Sequence, residues 1–123
     1  MIAHISLAVS NYSQSKAFYT RTLAALGYDN NMEYGEAAGF NDGKNTDFWI
    51  TKKATVVPSH VAFEAKDREQ VAAFHKAALA AGGKDNGGPG YRTEYWPGYY
   101  ASFVYDPDGN NIEAVWYDYS KVK

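Results

Sequence analysis

"HISLAVSNYSQSKAFYTRTLAALGY", residues 4–28, is repeated later in the chain as "HVAFEAKDREQVAAFHKAALAAGGK", residues 60–84. The two stretches align without a gap at an offset of 56 residues, 60 minus 4. They share an opening His, an Ala-Phe pair, a Leu-Ala-Ala run and a closing Gly. Shared Ala and Leu could arise by chance in two helices, but the matched His, aromatic residue and Gly indicate a duplication. We therefore expect one domain, residues 1–123, made of two repeated modules at about 1–55 and 56–123.

Each copy predicts a strand followed by a helix. The openings "HISLAV" and "HVAFEA" alternate in polarity, which is typical of a strand with one covered face. Polar cap residues and closing glycines then bound helices from about Tyr12 to Ala25 and from about Arg68 to Ala81. The expected N-caps are Ser10 or Asn11 in the first copy and Asp67 in the second.

The rest of each half predicts antiparallel strands joined by turns. "EYGEAAGF" and "TDFWITK" flank the turn "NDGKN" in the first half, and "YYASFVYD" and "NNIEAVWYD" flank "PDG" in the second. Each half is therefore expected to contain a strand, a helix and about three antiparallel strands. This pattern predicts an α+β fold, in which two half-sheets with their helices curl around a shared cleft.

The composition excludes several classes of partner and chemistry. Apolar residues make up 46% and charged residues 21%, as in ordinary soluble domains. The net charge of −2 argues against nucleic acids and anionic membranes, and no apolar run is long enough for a membrane span. The absence of cysteine excludes disulfides, thiolate metal ligands and a Cys nucleophile, and it fits a cytoplasmic protein. The start, "MIAHISLAV", has no signal-peptide pattern.

The stretch "NNIEAVWY", residues 110–117, places a carboxylate in an otherwise apolar strand. Alternation puts Glu113 on the face opposite Ile112, so Glu113 points into the cleft if Ile112 covers a helix. His4 and His60 point into the cleft by the same reasoning. Two imidazoles and a carboxylate are a recurring ligand set for a divalent metal ion, and such an ion would stabilise the buried charge of Glu113.

Simpler interpretations of the same residues stay open. A single His in a strand is more often a hydrogen-bonded core residue than a metal ligand, and Glu113 could form an ion pair with Arg92 instead. Asp47 is a fourth ligand candidate, because alignment of the turns "DGKNTDFW" and "DGNNIEAV" places it opposite Glu113, although its side chain is one methylene shorter. His75 lies on the second helix and is expected to be a partly exposed residue without such support. The metal hypothesis therefore requires His4, His60 and Glu113 to converge.

The motifs resemble those of the vicinal oxygen chelate superfamily, which groups glyoxalase I, extradiol dioxygenases, fosfomycin and bleomycin resistance proteins and methylmalonyl-CoA epimerase. The resemblance rests on "HISLAVSNYSQSKAFY" at the start, "HVAFEAKDREQVAAF" in the middle and "DPDGNNIEAV" near the end. With the strands between them, these motifs cover nearly the whole chain. Small glyoxalase-like members are the nearest general match.

The resemblance implies a fold and a ligand set. Two βαβββ modules would form a U-shaped open sheet around a metal-binding cleft, often completed in a homodimer. The ligands would be His4, His60 and Glu113. Zinc, nickel, manganese or iron(II) would each suit such imidazole and carboxylate ligands, and a loosely held Glu113 or a metal-bound hydroxide could act as the catalytic base. Glyoxalase I-like members take a further ligand from the last strand of the first module, where this chain has Asp47 or Trp49 instead of a clear Glu.

The loop "NGGPGYRTEYWPG", residues 86–98, is expected to cover the mouth of the cleft. Its glycines permit unusual backbone angles, and Tyr91, Tyr95 and Trp96 offer flat apolar surfaces to a substrate. Arg92 is the only cation in the loop and could hold a carboxylate or phosphate of the substrate. Packing of these aromatic residues at a dimer interface is the equally weighted alternative.

Three functions are compatible with these features. The first is a metal-dependent, glyoxalase-like enzyme with lyase or isomerase chemistry on a small oxygen-bearing substrate chelated by the ion. The second is extradiol dioxygenase-like ring cleavage at iron(II). The third is a non-catalytic small-molecule or antibiotic-binding protein of the resistance type, although sequestration alone does not need three metal ligands. In each case we expect a homodimer with a small-molecule partner and without nucleic acid or membrane partners.

Overall fold

The computed structural model describes residues 1–122, in which both halves of the chain start with a strand and a helix and continue with strands. The first half contains β1 (Ile5–Val9), α1 (Tyr12–Ala24), β2 (Asp29–Tyr34), β3 (Ala37–Asn41) and β4 (Thr46–Lys52). The second half contains β5 (His60–Glu64), α2 (Arg68–Ala80), β6 (Lys84–Asp85), β7 (Gly90–Tyr91), β8 (Tyr99–Tyr105) and β9 (Asn111–Tyr117), followed by a 3-10 helix (Tyr119–Lys121).

Each half forms a sheet of its own, and the two sheets have the same strand order. The first is ordered β1-β4-β3-β2 and the second β5-β9-β8-β6, with β7 also paired to β8. The first and last strands of each half run parallel, and the other pairs are antiparallel. The predicted α+β class and duplicated βαβββ modules are confirmed. The two sheets share no strand pair within residues 1–122.

The two helices are separated by the same offset as the sequence repeat, because α2 begins and ends 56 residues after α1. Asn11 caps α1 by accepting a hydrogen bond from the backbone N of Gln14 at 3.1 Å. Asp67 caps α2 in the same way, from the backbone N of Gln70 at 2.8 Å. Both helices end one residue before the predicted position. In the part of the chain that the structure describes, no helix has the length and apolarity to cross a bilayer.

The stretch "EYGEAAGF" is divided by a turn that the sequence did not reveal. β2 ends at Tyr34 and β3 begins at Ala37, so a tight hairpin falls inside it. Gly35 has a φ of 57°, in the left-handed region that glycine adopts without strain. The Gly-Glu dipeptide is a weaker hairpin signal than the Asp-Gly of "NDGKN", which explains why the turn was not predicted.

The helix-facing sides of both sheets contribute to one shared core. The rings of Phe48 in β4 and Phe63 in β5 meet edge to face with centroids 5.0 Å apart. The helices α1 and α2 pack against each other, and the ring of Phe18 lies beside Gly83 in this contact region. Burial of such side chains stabilises the fold by roughly 25 cal/mol per Å² of apolar surface. Because both sheets turn their helix-facing side inward, their other sides face away from the core.

The "DPDG" motif has a structural role at the junction of the two halves. The hydroxyl of Tyr19 in α1 donates a hydrogen bond to Oδ2 of Asp106 at 2.5 Å. Burial raises the pKa of Tyr19 well above its usual range, and the charge of Asp106 adds to this shift. Asp108 accepts hydrogen bonds from the backbone N and the hydroxyl of Ser10. These polar contacts tie the turn before β9 to the first half of the chain.

Candidate functional site

Glu113 lies on the outer face of the second sheet, the side turned away from the helices. It pairs in register with Ala62 of β5 and with Phe103 of β8. Its neighbours Ile112 and Ala114 point to the core and are 0% exposed. The alternation predicted for this strand is therefore confirmed. The outer face includes His60, Ala62, Glu64, Tyr99, Ala101, Phe103, Tyr105, Asn111, Glu113, Val115 and Tyr117.

His60 meets one oxygen of the Glu113 carboxylate. The His60 Nε2 atom lies 2.8 Å from Oε1 of Glu113. A carboxylate ion can only accept a hydrogen bond, so Nε2 is the donor. The side chain of Glu113 is 1% exposed, whereas that of His60 is 54% exposed. The pair thus joins a buried charge to an imidazole that a ligand can reach from solvent.

Tyr99 meets the other oxygen of Glu113, because its hydroxyl donates a hydrogen bond to Oε2. Burial raises the pKa of Tyr99, and the hydrogen bond to Glu113 and the charge of this carboxylate raise it further. The phenol therefore stays protonated, as a donor, at neutral pH. Within residues 1–122 no Lys or Arg forms an ion pair with Glu113. The carboxylate of Glu113 therefore accepts hydrogen bonds from one imidazole and one phenol.

His4 is not part of this group. It is exposed and immediately precedes β1 of the first sheet, whereas His60 and Glu113 belong to the second sheet. Residues 1–122 contain no group of three or more His, Asp or Glu side chains that could hold a metal ion. The expected triad is therefore not assembled within one chain, because the shared core turns the outer faces of the sheets away from it. His60 and Glu113 still offer two adjacent ligand atoms of the kind that a divalent metal prefers.

Asp47, the fourth ligand candidate, is also separate from Glu113. The pairing of β3 with β4 is irregular at this point, and Asp47 is the extra residue of a bulge, which redirects its side chain. Its Oδ2 accepts a hydrogen bond of 3.4 Å from the hydroxyl of Tyr28. Its Oδ1 is buried and has no partner among the described residues. Burial raises the pKa of Asp47.

Arg92 is bound within its own loop. Its guanidinium donates hydrogen bonds to the carbonyls of Gly88 and Gly90, both at 2.8 Å, and it lies 5.3 Å from the ring centroid of Phe103. The ion pair with Glu113 that was considered from the sequence does not form in residues 1–122. Two guanidinium nitrogens are committed to the backbone, which leaves Arg92 poorly placed for a two-pronged contact with a substrate carboxylate or phosphate.

The loop 86–98 is tied to the second sheet by backbone hydrogen bonds. The N of Phe103 donates to the carbonyl of Gly87 at 2.8 Å, and the N of Arg92 donates to the carbonyl of Tyr99 at 2.7 Å. β7, within the loop, adds a strand pairing to β8. The loop is thus a fixed wall beside the outer face.

The three loop aromatics have different surroundings. Tyr95 is 63% exposed, and its ring meets that of Tyr99 edge to face with centroids 5.2 Å apart. Trp96 packs against a tyrosine of β9 and one of the 3-10 helix. The hydroxyl of Tyr91 donates to Oδ2 of Asp118 at 2.7 Å and so ties the loop to the segment after β9. Tyr95 is therefore the one of the three that contacts the ring of Tyr99 beside the carboxylate.

A cavity of about 620 Å³ runs along the free edge of β5 and is lined by His60 at the site. Its walls include apolar side chains such as Ile5 and the carboxylates of Asp42, Asp47 and Glu64. Among the described residues that line it there is no Lys or Arg. The space next to His60 is therefore acidic.

Tyr99 is the residue of the site that sequence reasoning did not select. Alternation along a strand places Tyr99 and Tyr100 on opposite faces, but no local feature of the sequence decides which of them lies on the face of Glu113. The register with β9 decides it, since Tyr99 stands opposite Tyr117 on the face of Glu113. Tyr100 points to the other side and packs against Trp116.

The sequence matches the profile of one protein family over most of its length. The profile is that of the Glyoxalase/Bleomycin resistance protein/Dioxygenase superfamily, and the match covers residues 1–114. This range includes His4, His60 and Glu113. Among curated proteins, none matches the sequence significantly.

Solved structures with the same fold carry related descriptions. A glyoxalase/bleomycin resistance protein from Albidiferax ferrireducens is 28% identical, with 93% of this chain and 97% of that chain covered and a TM-score of 0.82. A glyoxalase-related enzyme from Fulvimarina pelagi is 19% identical, with 94% and 87% covered and a TM-score of 0.73. Lactoylglutathione lyase from Agrobacterium tumefaciens is 16% identical, with 94% and 92% covered and a TM-score of 0.69. The last two similarities concern the fold alone.

Proposed function

This chain belongs to the glyoxalase/bleomycin resistance protein/dioxygenase superfamily, and we propose on that basis that it is a divalent-metal-dependent enzyme with lyase or isomerase chemistry on a small oxygen-bearing substrate. One observation supports the proposal more than any other. The buried carboxylate of Glu113 meets the accessible imidazole of His60, and within residues 1–122 it has no Lys or Arg partner. A charge buried without a cationic partner, next to a reachable ring nitrogen, is typical of a functional site.

In this proposal His60 and Glu113 hold the ion, and the pairing of imidazole with carboxylate suits zinc, nickel, manganese or iron(II). When bound, such an ion supplies Lewis-acid stabilisation of an oxyanion on the substrate. His60 is oriented by its contact with Glu113 and reaches solvent with its other side. In this proposal Glu113 also has the chemistry of a general base, because a carboxylate can accept a proton from a substrate that lies within hydrogen-bond reach.

The third ligand in this proposal is His4 of the partner subunit in a homodimer. β1 and β5 are edge strands of their sheets, so their outer backbone groups lack strand partners within residues 1–122. Large apolar side chains are also exposed, with Ile2 at 77% and Tyr34 at 67%. A two-fold dimer that brings the start of β1 in one chain to β5 in the other would create two equivalent sites.

Mixing two variants tests whether each site is shared between subunits. His4→Ala and His60→Ala each remove one ligand from every site of their own homodimer. In a mixed dimer with shared sites, one site has lost both imidazoles and the other has kept both. After unfolding and refolding the two variants together, we expect about a quarter of the wild-type zinc content, because about half of the dimers are mixed and each has one intact site.

The same experiment distinguishes the alternatives. If all ligands came from one chain, no mixed dimer would have an intact site, and the refolded mixture would hold no more zinc than the separate variants. If wild-type protein itself holds no zinc, nickel, manganese or iron after loading and desalting, the metal-dependent function is wrong. Elemental analysis gives both results.

The charge of the cavity beside His60 favours a neutral or cationic substrate. Asp42, Asp47 and Glu64 line it without a Lys or Arg among the described residues, and Arg92 is committed to its own loop. A substrate with a free carboxylate or phosphate would be repelled there. In activity screens we expect neutral and amine-bearing α-oxygenated compounds to be turned over in preference to their carboxylated analogues.

One observation favours a second candidate, non-catalytic binding of a small molecule. The described residues of one chain do not assemble three metal ligands. For a sequestering protein, stabilisation against heat by a bound ligand should persist after a chelator has removed all metal. For the proposed enzyme, chelation should abolish turnover and reduce ligand stabilisation, and re-addition of metal should restore both.

A further inference from the structure

Tyr99 and Glu113 are not directly opposite each other in the pairing of β8 with β9. The side chain of Tyr99 instead extends along the sheet to reach Glu113. In the ladder between β8 and β9, Tyr99 stands opposite Tyr117, which is four residues along β9 from Glu113. The pair that lies between them on the same face is Ala101 with Val115. These two side chains are smaller than an aromatic ring, so the phenol of Tyr99 can lie over them and place its hydroxyl at Oε2 of Glu113.

The ring of Tyr99 is held in place from two sides. Tyr95 meets it edge to face with centroids 5.2 Å apart, and Tyr117 does so at 5.7 Å. Edge-to-face packing favours one ring orientation, and a rotation of Tyr99 would break both contacts. The hydroxyl is therefore a fixed donor and not a mobile one.

We propose that Tyr99 is a positioning residue for Glu113: its hydroxyl fixes Oε2, so that Oε1 is turned to His60 as the one oxygen available to a ligand. This inference rests on the function proposed above for His60 and Glu113. A carboxylate with both oxygens engaged cannot rotate freely about its last bond. Without the hydroxyl, Oε2 would be buried without a donor, and the carboxylate would turn to find another partner. The alignment of Oε1 with Nε2 of His60 would then be lost.

A matched pair of variants tests the role of the hydroxyl. Tyr99→Phe removes it and keeps the ring. Tyr117→Phe makes the same change on the same face, at a hydroxyl that forms no hydrogen bond to Glu113 within residues 1–122. Zinc affinity is measured by competition with a chromophoric chelator, and the visible spectrum of cobalt-loaded protein reports the ligand geometry.

We expect Tyr99→Phe to weaken zinc binding roughly 10–100-fold, the range found when a hydrogen bond to a metal ligand is removed. The cobalt spectrum should change as well. Tyr117→Phe should leave both the affinity and the spectrum as in wild type. An unchanged affinity together with an unchanged spectrum in Tyr99→Phe overturns the proposal.

Metal-free protein gives a second readout, which separates this inference from the proposed function. NMR of isotope-labelled histidine detects the ring signals of His60, which depend on its hydrogen bond to Glu113. We expect Tyr99→Phe to move these signals and Tyr117→Phe to leave them in place. If wild type binds no zinc but the signals move in Tyr99→Phe, the proposed function fails and the positioning role stands. If wild type binds zinc and neither readout distinguishes Tyr99→Phe from Tyr117→Phe, the positioning role fails and the proposed function stands.

Discussion

The ring of Phe48, in the first half of the chain, meets the ring of Phe63, in the second half, edge to face with centroids 5.0 Å apart. The hydroxyl-bearing ring of Tyr28 adds another edge contact to Phe63 at 5.6 Å. These contacts join the two modules through their helix-facing sides. As a consequence the ligand candidates of the two modules do not meet within one chain, although the repeat makes His4 and His60 equivalent in sequence.

Removal of the ring of Phe63 should destabilise the whole chain. We expect Phe63→Ala to lower the free energy of unfolding by about 3–5 kcal/mol, the usual cost of truncating a buried Phe. Since both halves share the core, unfolding by urea should remain a single transition. Val57→Ala, at a residue that is 75% exposed, should cost about 0.5 kcal/mol or less. Two separate transitions would contradict a core shared by both halves.

A side chain at Gly98 should also be strongly destabilising. A Cβ atom there would lie 1.9 Å from the carbonyl oxygen of Asp118, so the backbone would have to move. We expect Gly98→Ala to cost on the order of 3 kcal/mol, as overpacking against a rigid neighbour does. Gly88→Ala is the matched control in the same loop, because a Cβ there meets nothing within 4 Å. Equal melting temperatures for the two variants would show that the end of the loop is not packed as described.

Replacement of Asp47 should stabilise the protein at neutral pH. Burial raises the pKa of Asp47, so the ionised form is disfavoured in the folded state. The contribution of protonated Asp47 to the free energy of unfolding is therefore fully present below the pKa of this group in the unfolded state. It is lost as the pH rises through the pKa in the folded state. Asp47→Asn removes this loss and should raise the melting temperature at pH 7, with no gain at pH 3.

Asp42→Asn gives the opposite expectation and serves as the control for Asp47→Asn. The backbone N–H groups of Asn45 and Lys44 lower the pKa of Asp42, so its charge stabilises the fold above the unfolded-state pKa. This variant should melt at a lower temperature at pH 7. For the Asp47→Asn variant of the preceding prediction, loss of bound metal would identify Asp47 as a metal ligand.

Alkaline stability should depend on Tyr12. Burial and the hydrogen bond from its hydroxyl to Oε2 of Glu33 raise the pKa of Tyr12 to about 12, from a model-peptide value of 10.0. A raised folded-state pKa gives stability that is complete below pH 10 and is lost as the pH rises towards 12. Tyr12→Phe should therefore show a smaller loss of stability over this pH range. A denaturant titration at several pH values measures it, with Tyr34→Phe as a control at a hydroxyl that forms no hydrogen bond within residues 1–122.

Metal content should distinguish two glutamates on the same outer face. Glu113 is 1% exposed and contacts His60, whereas Glu64 is exposed and forms no ion pair within residues 1–122. We expect Glu113→Gln to lower the affinity for zinc by about 10-fold or more, because the charge of a ligand is lost. Glu64→Gln should bind zinc as wild type does. Full zinc affinity in Glu113→Gln would exclude Glu113 as a ligand.

The sequence by itself determined the local structure. It predicted both helices to within one residue at their ends, the caps at Asp67 and at one of two candidates that included Asn11, and the face of Glu113 opposite Ile112. These features depend on the periodicity of a helix or strand and on hydrogen bonds between near neighbours. The repeat identified the two modules for the same reason, since each module is a unit of local pattern.

Only the tertiary structure decided which side chains meet. It brought Tyr99 and His60 to Glu113, bound Arg92 to its own loop and left His4 beside the other sheet, immediately before β1. The physical reason is that hydrophobic contact has no direction. The same apolar stripes allow two modules to pair at their sheet edges or through their helix-facing sides, and the alternation of residues is identical in both arrangements. Which arrangement forms depends on how well distant surfaces such as those of Phe48 and Phe63 fit, and a pattern of local periodicity does not contain that information.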